Sequence, residues 1–145
     1  MSDIAARPDR SAGNAPLELV ILAPILVLLI SLVFAAGRTS LAQSSVYAAA
    51  RDGARQASIS RSPAQALSEA RSGALSELAQ QKLHCAPAAV IVDTGGFAIR
   101  PGLPATITVT VSCRVQLADL LLPGVPGSKT LVAKFRSPLD LFRGR

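Results

Sequence analysis

The sequence predicts an α+β protein. A long N-terminal transmembrane helix continues into a helical stem, and a second amphipathic helix and a small antiparallel β-sheet of three to four strands follow. Three observations carry this reading. Residues 19 to 37 contain no charged side chain. From Arg38 to Leu83 the chain is rich in helix formers, with one clear restart at Ser62-Pro63. Past Cys85 the apolar period drops to two, most plainly in ATITVTVSCRVQL.

The first segment, 1 to 13, is polar, with Arg7 and Arg10 set against Asp3 and Asp9, and is expected to be a disordered leader. Asn14 then reads as a helix N-cap. Pro16 falls in the first turn, where its missing N–H costs nothing. Glu18 closes that turn and faces the positive end of the helix dipole, so one reading makes it a helix-start charge. The run from Leu19 to Gly37 has a single hydroxyl, Ser31. As a helix it would be about 28 Å long, against ~30 Å of hydrocarbon core. Pro24 removes one backbone donor and can kink the helix, which membrane helices tolerate. The boundaries read as transmembrane helix 14–37, stem 38–61 and a small α+β exterior domain 62–145.

In the stem, Ala49, Gly53 and Ala57 recur every four residues. This spacing admits a closely approaching helix, although alanine is also simply the best helix former. Arg51, Asp52 and Arg55 read as a solvated face with a weak pair between Asp52 and Arg55. Ser62, Pro63 and Gln65 form a helix start with a capping box. Leu67, Ala70, Ala74, Leu75 and Leu78 form one stripe at helical spacing, in a helix expected to reach about Leu83. AAVIVD and FAIR, flanking Thr94-Gly95-Gly96, read as a hairpin. PGLP at Pro101 to Pro104 reads as a turn. In ATITVTVSCRVQL the residues Ile107, Val109, Val111, Cys113 and Val115 share one face. PGVPGS is a loop and KTLVAKF a last strand.

Composition excludes several functions. Half of the 145 residues are apolar but only 3% are aromatic, with no Trp, which is poor material for a large enzyme core. The net charge of +6 is carried by scattered basic residues with no aromatics to stack bases, so nucleic acid is not an expected partner. Contact with anionic lipid head groups or envelope polymers is a sharper reading of the same charge. The single histidine, His84, stands beside Cys85, without the second ligand pair that a metal site needs. The carboxylates are too few and too spread for acid–base work, and Gly95-Gly96 lacks the Lys of a phosphate loop. No catalytic residue, metal, cofactor or small-molecule substrate is expected. Cys85 and Cys113 are either free thiols of a cytosolic domain or one disulfide made in an oxidising compartment. The disulfide is the expected state.

Together, G-NAPLE-LVILAP, the apolar run and AARDGAR at Ala49 to Arg55 resemble the TadE-like minor pseudopilins of tight-adherence (Flp, type IVb) pilus systems. Leu19 stands where that family commonly has Phe, and Pro16 lies close to the junction. The resemblance implies that a prepilin peptidase cuts between Gly13 and Asn14, making Glu18 the fifth residue and Pro24 the eleventh of the mature chain. It implies a second reading of Glu18, pairing with the Asn14 amine of a neighbouring subunit. An ion pair of that kind contributes register more reliably than net stability. It also implies two cysteines in the C-terminal domain, sister pseudopilins and pilus assembly proteins as partners, and a single-pass protein of the bacterial cell membrane. Its N-terminus would be cytoplasmic and its C-terminal domain extracytoplasmic. Basic residues do not orient the span, since Arg7 and Arg10 precede it and Arg38, Arg51 and Arg55 follow it. The competing function is a secreted or anchored β-rich binding domain with no pilus role, released by signal peptidase before Ala36.

Overall fold

A computed structural model describes residues 15–120, 124 and 126–142. The expected leader, Gly13 and the expected Asn14 cap lie outside the described residues. The chain folds as α+β, in the order α1 (Ala15–Ser58), α2 (Pro63–Gln80), β1 (Ala88–Asp93), a 3-10 turn (Gly95–Ala98), β2 (Thr106–Gln116), α3 (Leu117–Leu120) and β3 (Ser128–Pro138).

α1 is continuous for 44 residues, past Pro24 and through the boundary expected at 37/38. Its two halves have opposite surroundings. Thirteen large apolar side chains from Leu19 to Phe34 are each more than half exposed. From Ala42 onward one face is buried by Ala42, Val46, Ala49, Ala50, Ala54 and Ala57. This half is the spine of the domain, packed on α2 and on the sheet.

α2 begins as its sequence dictates. Ser62 is extended, and its hydroxyl accepts from Gln65 N–H at 3.3 Å, with Pro63 at the first helical position. The return arm of the expected capping box is displaced by one residue, because Gln65 Oε1 accepts from Arg61 N–H rather than from the cap. The helix stops at Gln80, short of Leu83. Lys82 takes a positive φ of 54°, Lys82 N–H donates to Ala79 O, and Leu83 N–H donates to Leu78 O. That pair of bonds is a Schellman ending, with Leu83 folded back towards the core.

The buried face of α2 is also not the expected stripe. Ala66, Ala70, Gly73, Ala74 and Leu78 are buried, Leu67 is partly exposed and Leu75 is 47% exposed. The cause is the tight approach of α1. A Cβ on Gly53 would lie 2.7 Å from Ala70 O, and one on Gly73 would lie 2.7 Å from the Gln56 amide. Only small residues fit such a seam, so the leucine turns outward.

The sheet is antiparallel in the order β1-β2-β3. Ile107, Val109, Val111, Cys113 and Val115 are all buried on the face towards α1. Leu131 and Ala133 of β3 join them opposite Cys113 and Val111. The expected hairpin between AAVIVD and FAIR does not form. β1 pairs instead with β2, Val90 opposite Val111 and Val92 opposite Val109. Asp93 Oδ1 accepts from Gly95 N–H, and Phe97 N–H donates to Thr94 O, which coils the segment into a 3-10 turn. Gly96 then sits against the Thr106 carbonyl, where no Cβ could fit. Four residues of FAIR cannot match the ladder that an 11-residue strand offers β1.

PGLP turns as expected. Leu103 N–H donates to Arg100 O around Pro101 and Gly102, and the φ of 92° at Gly102 identifies a type II turn. At the far end of the molecule, Asp140 N–H donates to Ser58 O and closes β3 against the end of α1.

Candidate functional site: the anchor helix and its stem

The apolar half of α1 is the largest anomaly of the molecule. Exposing thirteen such side chains to water would forfeit on the order of 20–40 kcal/mol at ~1.5–3 kcal/mol each. An exposed apolar patch of this extent marks an interaction surface rather than a solvated one. This surface therefore belongs in lipid or against other apolar helices. It is one helix long and apolar enough to cross a membrane among the described residues. Ser31, the hydroxyl within it, donates to Val27 O at 2.7 Å, so it needs no water.

Glu18 lies in the first turn of α1 and is exposed. Pro24 lies two turns further on, inside the helix. Ala49 and Ala57 are fully buried, and Gly53 lies between them over the Ala70 carbonyl. Asp52 does not take the partner expected at Arg55. Its Oδ2 accepts from Gln56 Nε2 at 2.7 Å, and Gln56 in turn covers Gly73. Arg51 and Arg55 are exposed. AARDGAR is therefore a seam of small residues with a polar border.

Cys85 and Cys113 form a disulfide, with Cα atoms 5.1 Å apart. It ties the segment leaving α2 to the central strand. Ala86 N–H donates to Arg114 O and Arg114 N–H to Pro87 O beside it. His84, next to the disulfide, is exposed. No group of His, Cys, Asp and Glu that could hold a metal occurs among the described residues.

Three contacts hold α1 against β3 and α3, and two of them carry no sequence signal. Tyr47 meets Phe135 edge to face, with ring centroids 5.7 Å apart. Gln43 Nε2 donates to Val132 O at 3.0 Å, reaching the outer edge of β3. Arg38, the first charge after the apolar run, stacks its guanidinium 4.9 Å from the Phe34 ring centroid and donates to Asp119 O at 3.4 Å. Only Arg38 could have been singled out beforehand, from its place at the end of the span. Between α1 and β3 lies an open groove of about 750 Å³, lined by Ala36, Ser40, Tyr47, Lys129 and Leu131 among others. Its described lining residues include no acid–base pair.

The chain thus joins an apolar helix with an acidic first turn to a small-residue stem and a disulfide-tied sheet. Residues 13–55 match the family described as TadE-like protein. The match starts at Gly13 and ends at Arg55 of AARDGAR, so it takes in Glu18 and the whole apolar half of α1. Residues 56–145 lie outside it. No curated protein and no solved structure matches the chain. A TadE-like segment on a helix able to cross a membrane fits a membrane-anchored, pilus-associated protein.

Proposed function

We propose that this protein is a membrane-anchored minor pseudopilin that acts structurally in assembling a tight-adherence pilus or a related secretion apparatus. The observation that carries the reading is the division of α1. One half is bare and apolar, the other is the core of a folded domain, and the TadE-like match runs across both. Such a chain supplies a hydrophobic helix for lateral packing and a rigid head to present. Prepilin peptidase would cut between Gly13 and Asn14 on the cytoplasmic side, and the disulfide-bearing domain would lie outside. Glu18 would then meet the Asn14 amine of a sister subunit. An ionised carboxylate at the edge of the hydrocarbon is costly, and such a partner accounts for its being there. Ala49, Gly53 and Ala57 would serve within the subunit, holding α2 against the stem.

The alternative, a domain freed by signal peptidase near Ala36, is disfavoured by the helix itself. α1 is unbroken across 33–36, where a peptidase would need extended chain, and Ala36 already lines the groove against β3. N-terminal sequencing of protein from a host with the matching peptidase tests the proposal. Asn14 as the first residue, in the membrane fraction, is the expected result. A uniform start near Ala36 in the soluble fraction would overturn it.

A further inference from the structure

The end of the sheet nearest the apolar half of α1 is basic, and two contacts fix its height along α1. Gln43 of α1 meets the Val132 carbonyl of β3, and Ser58 O meets Asp140 N–H. Helix and strand therefore run side by side in the same direction. From Val132 back to Lys129 is about 10 Å of strand. Ten ångströms of helix is about seven residues, which leads from Gln43 back to Ala36. Lys129 and Ala36 do line the same groove. Ala36 is within one residue of the end of the uncharged run. Arg114 stands opposite Thr130, one residue further along β3, and its Nε donates to Ser128 Oγ at 2.7 Å. Arg38 is held at the same height by Phe34 and the Asp119 carbonyl.

We propose that Arg38, Arg114 and Lys129 form a collar that binds the phosphates of anionic phospholipids where α1 leaves the bilayer. All three side chains are exposed. They come from three different elements and are brought to one level by the register of β2, β3 and α1. Among the described residues, Asp119, exposed beside Arg38, is the acidic group at this end, and it leaves the collar with a net positive charge. Two of the three cations are pinned by hydrogen bonds to the protein, so less side-chain freedom is lost when a head group docks. The collar would set the tilt and depth of the domain on the membrane surface. It rests on α1 crossing the membrane, as the proposed function requires.

The test uses the full chain, purified in detergent with its disulfide intact. Retained lipid is measured by native mass spectrometry after equilibration with equal phosphatidylglycerol and phosphatidylcholine. The wild-type protein should retain the anionic lipid preferentially, by about fivefold for each engaged basic residue. Lys129→Gln should lower that preference, and the triple variant Arg38→Gln, Arg114→Gln, Lys129→Gln should abolish it. Arg61→Gln, Arg71→Gln and Arg100→Gln together remove the same charge elsewhere and should leave it unchanged. Equal retention of both lipids by the wild type, or equal loss in both triple variants, overturns the collar. Displacement of the lipid by millimolar inorganic phosphate would also overturn it, marking a free-phosphate site. A chain recovered from cells only in the soluble fraction would instead refute the anchor reading, which separates the two failures.

Discussion

The seam between α1 and α2 makes a prediction that contrasts two glycines of one helix. A Cβ at Gly53 would stand 2.7 Å from Ala70 O and 3.3 Å from Ala74 Cβ, whereas a Cβ at Gly37 would meet nothing within 4 Å. Both are interior helix positions, so Gly→Ala contributes about 1 kcal/mol of helix propensity at each. At Gly53 the obstruction is a backbone carbonyl, which yields only if the whole of α2 shifts by several tenths of an ångström. Overpacking of that kind costs about 2–3 kcal/mol, the upper part of the usual range. The net expectation is a loss of about 1–2 kcal/mol for Gly53→Ala, and no loss for Gly37→Ala. For a domain of this size each kcal/mol moves the midpoint by about 4–8 °C. Gly53→Ala should therefore melt roughly 4–16 °C below wild type and Gly37→Ala at or above it. The assay is circular dichroism at 222 nm on the full chain in detergent, with the disulfide intact. If both variants melt together, or Gly53→Ala melts higher, the close-packed seam is wrong.

Three further outcomes are expected. Replacing Cys85 and Cys113 together by serine opens a loop with a sequence separation of 28, which should cost about 3–4 kcal/mol in the chain-entropy model, read as the shift in a urea midpoint. Ser62→Ala removes the acceptor for Gln65 N–H and should cost about 1 kcal/mol, with Ser62→Asp retaining most of the stability. Glu18→Ala should leave membrane insertion intact, because it removes a charge from the edge of the span, while reducing crosslinking to sister pseudopilins; undiminished crosslinking would return Glu18 to a helix-start charge.

Much of the molecule could be read from local pattern. The uncharged run ending at Gly37 identifies a membrane-length helix, because a bilayer selects on length and polarity alone. The strict alternation of β2 gives its buried face, since side-chain direction in a strand is set by the pleat. Ser62 and Pro63 announce α2, because capping involves only neighbours in sequence. Pairing is different. Whether AAVIVD pairs with FAIR or with β2 is a competition between distant segments, decided by ladder length and by the tight fit of Gly96 against Thr106 O. The buried stripe of α2 was likewise settled by its neighbour. Apolarity favours burying Leu75, but the closeness of α1 admits only Ala66, Ala70, Gly73 and Ala74 at the seam. The basic collar is the extreme case. Arg38, Arg114 and Lys129 are scattered charges in the sequence, and only the register of two strands against α1 places them at one height. The sequence by itself determined the membrane-length apolar helix, its helical continuation and the strongest strand, because each is a property of consecutive residues. The tertiary structure alone decided the pairing of β1, the close seam and the collar, because each depends on which distant surfaces meet and at what distance.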